Sequence, residues 1–179
     1  MEPTAISYDM LKTKEGQLNA VFACFGSAAQ HAQHFEVALG AFVLLYNKFT
    51  KRNLTLEAFE ALDQKLQKQT MGTLLREFKK YVRVNDSNVH RCLELALEKR
   101  NFLMHHYFRE REGCLGLEQG RLSILTELVE IGSLLEQAAA LVGGMRIAFS
   151  DVMSKKGERG GSNKKPLFSF EVTLPDEKA

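Results

Sequence analysis

The chain has 179 residues, 45% of them hydrophobic, which suits one packed domain and leaves too little for two of ordinary size. A formal net charge of +2 sets up no field over the whole surface that would announce nucleic acid or membrane, so any basic site has to be local. Three cysteines, Cys24, Cys92 and Cys114, stand far apart without a C-x-x-C pair, which offers no zinc or dithiol motif and fits a reducing cytoplasm.

The N-terminal "MEPTAISYDMLKTKEG" lacks the basic start and apolar run of a signal peptide. The longest apolar stretch, "VALGAFVLLY", is about half the ~20 residues of a membrane span. A cytoplasmic protein without a membrane segment is therefore expected. Prolines occur only at positions 3, 166 and 175, so nothing between Thr4 and Lys165 is barred from helix by ring closure. The expected fold is all-α, an up-and-down helical bundle of four to five helices over residues 16–153. An N-terminal arm, 1–15, precedes it, and a flexible basic linker and C-terminal tail, 154–179, follow.

Apolar residues at Leu18, Val21, Phe22, Phe25, Ala29, Ala32, Phe35, Leu39, Phe42, Val43, Tyr46 and Phe49 keep helical spacing and predict one long helix. A second segment follows a cap at Thr55 and carries Leu56, Phe59, Leu62 and Leu66; a third carries Leu74, Leu75, Phe78 and Val82. These are two short helices or one bent at Met71 and Gly72. Asp86, Ser87 and Asn88 supply capping groups for the next helix, which should run to about Glu112 and stop at Gly113. After the loop "EGCLGLEQG", the set Leu125, Leu128, Gly132, Leu135, Ala139, Val142, Phe149 and Val152 marks a final long helix, loosened at Gly143 and Gly144. At "SKKGERGGSNKKP" apolar residues vanish in favour of glycine and charge. Beyond it "LFSFEVTLP" alternates like a strand that has no partner in this chain; it docks, pairs with a partner protein or stays disordered.

The stretch "ALEKRNFLMHHYFRE", residues 96–110, puts charge into an apolar seam. On a 3.6-residue projection Leu93, Ala96, Leu97, Leu103, Met104 and Tyr107 share one face, with Arg100 where a leucine would normally stand. Leu95, Phe102 and His106 lie on nearly the opposite side, so the helix has a second apolar face suited to a homodimer partner. Asn101 and His105, one turn apart, occupy the border between the faces. The plain alternative pairs Arg100 with Glu127 or Glu130 and leaves His105 a core or surface residue.

Arg100, Asn101, His105 and Tyr107 follow arginine-asparagine-x-x-x-histidine-x-tyrosine, which resembles the active motif of the HEPN superfamily and in particular its HepT-like toxins. The resemblance implies an all-helical fold dimerising through the motif helix, and a metal-independent endoribonuclease without cofactor that cleaves RNA at a composite dimer-interface site. It makes Arg100 and His105 catalytic, with Asn101 and Tyr107 in support; His106, next to His105 and outside the motif, is a further supporting residue by position. It also implies the toxin of a toxin–antitoxin or defence pair, whose separate antitoxin, a nucleotidyltransferase, would adenylylate Tyr107. The residue chemistry is consistent with this: histidine titrates near ~6.5 and can move protons, and arginine suits phosphate. The competing reading is a non-catalytic HEPN-like module that binds a protein or nucleotide partner in the same cleft.

Other residues carry less. Arg76, Lys79, Lys80 and Arg83 form a basic face that suits an RNA backbone or simply solvent, and Lys155, Lys156, Lys164 and Lys165 add charge to the tail. His31 and His34 are three apart, but no E-x-x-H of the di-iron bundles occurs, and no metal is expected. The glycine-serine pairs at Gly26 and Gly132 are followed by no D-x-D, so a nucleotidyltransferase would be a separate polypeptide.

Overall fold

A computed structural model describes residues 9–51, 54–157 and 170–173. A 3-10 turn at Met10–Lys12 leads into α1 (Lys14–Thr50), followed by α2 (Leu56–Gln67), α3 (Met71–Tyr81), β1 (Val82–Val84), α4 (Ser87–His105), α5 (Tyr107–Leu115), α6 (Glu118–Gly157) and β2 (Phe170–Val172). The chain is all-α apart from one strand pair, but six α-helices stand among the described residues where the periodicity predicts four or five. Two breaks set the count: the first decides between the two arrangements open for the second and third segments, and the second adds a helix beyond five. Thr70 is extended and its hydroxyl accepts the Thr73 N–H at 3.3 Å, so α3 starts afresh after α2 instead of bending at Met71 and Gly72. The motif helix, expected to run unbroken to about Glu112, stops at His105 and restarts at Tyr107.

The ends follow local chemistry. Thr13 caps α1 by accepting the Gly16 N–H at 3.0 Å, and Thr55 caps α2 through the Ala58 N–H. Asp86 accepts the Asn88 N–H at 2.8 Å where α4 begins. α5 passes the expected stop at Gly113 and ends before Gly116, and α6 continues through Gly143 and Gly144 to Gly157.

The C-terminal strand does have a partner within the chain. β2 pairs antiparallel with β1, Val82 opposite Val172, Arg83 opposite Glu171 and Val84 opposite Phe170. Val82, expected to extend the third helix, has extended backbone instead. The Tyr46 hydroxyl donates to the Thr173 carbonyl, and its ring stacks on Tyr81 with centroids 3.9 Å apart. The linker expected to be flexible falls largely on residues 158–169, which, like Lys164 and Lys165 within them, lie outside the described residues.

Two compact units form, and α1, α4 and α6 contribute to both. The first comprises residues 9–33 with Leu95–Glu136; Val21, Ala28, Leu103, Tyr107, Ile124 and Leu128 are buried in it. The second comprises His34–Glu94 with residues 137–157 and 170–173, around Phe35, Leu39, Phe42, Phe78, Val142 and Phe149. There Phe42 meets the Phe78 ring edge-on at 4.8 Å. Full burial of each such side chain stabilises by roughly 1.5–3 kcal/mol. Glu118–Ser154 is long and apolar enough, by length and composition, to cross a membrane; 39% of its most apolar window is buried inside the protein. The core helix of a soluble protein can have that composition too.

The turn from α5 to α6 is fastened by Arg121, which is buried and donates to the Gln17 side-chain oxygen at 2.8 Å and the Leu115 carbonyl at 2.9 Å. Gly120 lets the backbones approach, since a Cβ there would stand 2.2 Å from the Cys114 carbonyl oxygen. Gly120→Ala should therefore cost about 1–3 kcal/mol and lower the melting temperature. Gly26→Ala, in a helix with nothing within 4 Å of the added carbon, should raise it by roughly 0.5–1 kcal/mol in stability. Thermal melts followed by circular dichroism measure both.

Candidate active site at the break between α4 and α5

The motif occupies the last turns of α4 and the start of α5, within the first unit. Ala96, Leu103 and Tyr107 are buried and fix the rotation of the segment. Arg100 is only half-buried, and its Nη1 donates to the Asn101 side-chain oxygen at 3.2 Å. Met104, expected in the seam, is 42% exposed. The buried arc is thus narrower than the projected one and leaves Met104, Asn101 and His105 facing outward.

His105 is the final residue of α4 and is exposed. His106 has φ −129° and ψ −21°, outside the helical well, although its N–H still donates to Phe102 and its carbonyl still accepts from Glu110. The two imidazoles stand 6.2 Å apart, centroid to centroid, and they differ in surroundings. Arg109 donates to Nδ1 of His106 at 2.9 Å, so that nitrogen acts as an acceptor.

Tyr107 is 1% exposed, and its hydroxyl donates to Glu127 at 3.1 Å, with the Ile124 carbonyl at 3.4 Å. Arg111, one turn further along α5, grips the same carboxylate in a fork: Nε to Oε2 at 2.9 Å and Nη2 to Oε1 at 2.8 Å. The Arg111 fork holds the Glu127 carboxyl below its usual range, against the opposing push of burial. Burial, then the neighbouring Glu127 charge, drives the Tyr107 hydroxyl well above the ordinary tyrosine value, so it remains a donor.

The second apolar face serves this chain first. Phe102 meets Tyr107 edge-on at 5.4 Å, the Arg111 guanidinium lies 5.3 Å from its centroid and Lys99 5.9 Å. Leu95 and His106 are exposed, and Phe102 is half-buried by its own neighbours. Glu127, offered as a partner for Arg100, is instead taken up by Tyr107 and Arg111.

The basic face belongs to the second unit and is largely matched with acid. Lys79 pairs with Glu94, Lys80 with Glu77 at 2.6 Å, and Arg83 stands opposite Glu171, whereas Arg76 is exposed. His34 is exposed. His31 lines an open cleft of about 230 Å³ with Cys24, Ser27, Ser133 and Glu136. Among the described residues, no three His, Cys, Asp or Glu stand close enough to hold a metal ion.

The sequence did not point to Arg111, nor to Glu127 as its partner rather than that of Arg100. The available signal was the spacing of Tyr107 and Arg111, four apart and so on one helical face. No family model matches the chain, and no curated protein or solved structure shows significant similarity to it.

A carboxyl whose pKa is lowered on folding stabilises the fold above its unfolded value, and that contribution is lost as pH falls through the folded value. The melting-temperature gap between the parent and Glu127→Gln should thus be widest near neutral pH. It should narrow below the unperturbed value of 4.5, in melts taken across that range.

Proposed function

We propose that the chain is a metal-independent endoribonuclease of HEPN type, working as a homodimer whose cleft is shared by two copies of the motif. The observation that carries the reading is the placement of half-buried Arg100, Asn101 bonded to it, and exposed His105 on the closing turns of one helix. In the proposed reaction one His105 removes the proton from a ribose 2′-hydroxyl. The resulting oxygen attacks the adjacent phosphorus, and the departing 5′-oxygen takes a proton from the partner subunit's His105. The products are a 2′,3′-cyclic phosphate and a 5′-hydroxyl end. Arg100 stabilises charge on the phosphate oxygens, where a planar guanidinium offers two parallel donors.

One such imidazole per chain is the reason for a second copy. The side of α4 that carries exposed Met104 with Asn101 and His105 is the face proposed to meet it, in place of Phe102. Burial of Tyr107 against Glu127 supports a structural role for that side chain; an adenylylating antitoxin would need α5 to release it first. The toxin role and a separate antitoxin rest on the motif alone, and the cytoplasmic setting on the cysteine spacing and the N-terminal composition.

Single-stranded RNA should be cut in the presence of EDTA, leaving cyclic phosphate ends. His105→Ala and Arg100→Ala should each lower the rate by roughly 100-fold or more while remaining folded, and His106→Ala should be much milder. Met104→Glu should dissociate the dimer in sedimentation runs and take cleavage with it. A parent that is dimeric, folded and unmodified on Tyr107 yet cuts no RNA would favour the non-catalytic binding module.

A further inference from the structure

The break between α4 and α5 lacks a local cause. Sharp interruptions usually trace to proline, to glycine or serine, or to a group inserted into the helix ladder. Neither proline, glycine nor serine lies between Leu95 and Glu112, and the N–H and carbonyl of His106 both keep their helical partners. His106 is the residue that falls outside both helices, and its φ of −129° and ψ of −21° leave the helical well. Beside the Arg109 bond to the His106 ring, the contacts that hold it come from other parts of the chain.

The holding contacts converge on one residue of α6. Tyr107 is the first residue of α5 and Arg111 the fifth, so they lie on one face, and both deliver their polar groups to the Glu127 carboxylate. Phe25 of α1 meets the Tyr107 ring at 6.1 Å, and Phe102 of α4 is covered by both Tyr107 and Arg111. The same carboxylate thus fixes the start of α5 and, through the two side chains it binds, the last turn of α4. His105 stands between those two fixed points.

We propose that Glu127 is a positioning residue for His105, acting through Tyr107 and Arg111 to hold the α4–α5 break in the geometry that aims the imidazole; the proposal rests on the ribonuclease reading for its functional consequence. Without the carboxylate, the buried Tyr107 hydroxyl keeps only the long contact to Ile124, and Arg111 loses its fork. The first turn of α5 is then free to rejoin α4, and the orientation of His105 is no longer set.

The test uses the full chain with Glu127→Ala and Glu127→Gln, reading the His105 and His106 ring-proton resonances against pH alongside RNA cleavage kinetics. Glu127→Ala should shift the His105 resonances and titration midpoint and reduce kcat about tenfold, with KM changed by no more than about twofold. Glu127→Gln keeps an oxygen for the Tyr107 hydroxyl and should recover to within about threefold of the parent. A folded Glu127→Ala chain with parental His105 resonances and parental kcat overturns the proposal. If Glu127→Ala does not fold, Tyr107→Phe removes only the hydroxyl and is read the same way: shifted His105 resonances support the proposal and unshifted ones overturn it. Shifted resonances in variants of a parent that cuts no RNA uphold the positioning and remove the ribonuclease; a parent that cuts RNA with Glu127→Ala unchanged removes the positioning alone.

Discussion

The Glu127 carboxylate, taking a hydroxyl from Tyr107 and a two-point fork from Arg111, is the contact on which the motif region depends. Three polar groups meet in a partly buried place, where an unpaired tyrosine hydroxyl and an unpaired, half-buried carboxylate would each be costly. Together they satisfy one another. The same arrangement covers Phe102 and sets where α4 ends, so that packing, electrostatics and the helix boundary are one constraint.

That constraint separates the two histidines. His106, at the break, is bonded to Arg109 of α5, while His105 closes α4 on the outward side with Asn101 one turn before it. A proton-transfer group has to reach a substrate from a fixed position, and a residue at the end of a well-anchored helix meets that need better than one within a turn. Arg100 is half-buried, so that its direction is limited while part of the side chain reaches the surface.

How much of this could be read in the sequence differs by element. The long period from Leu18 to Phe49 and the cap at Thr55 were plain, because helical spacing and capping are local. The helix count was not, because the interruption at His106 is imposed by Glu127, twenty-one residues further on, and leaves no mark such as proline or glycine. β1 is three residues long and follows an amphipathic helix directly, too short for its alternation to show; its pairing with Phe170–Val172 depends on a contact across about half the length of the chain. Phe102 projects onto a second apolar face, but projection cannot tell a face awaiting a partner from one covered by Arg111 and Tyr107 of the next helix. The motif residues were legible by identity and spacing, while their partners were not. Likewise, the charge on Lys79 and Lys80 was visible in sequence, but their matching with Glu94 and Glu77 needed the fold.

The central claim is a cleft completed by two copies, in which both His105 side chains act on one phosphate. It is tested most directly by mixing parental and His105→Ala chains in known proportions, allowing subunits to exchange, and measuring cleavage of single-stranded RNA. If each turnover needs an imidazole from each of the two subunits, mixed dimers are inactive and the rate falls with the square of the parental fraction. A rate that falls in simple proportion to the parental fraction would mean that each chain carries a complete site, and would contradict the account.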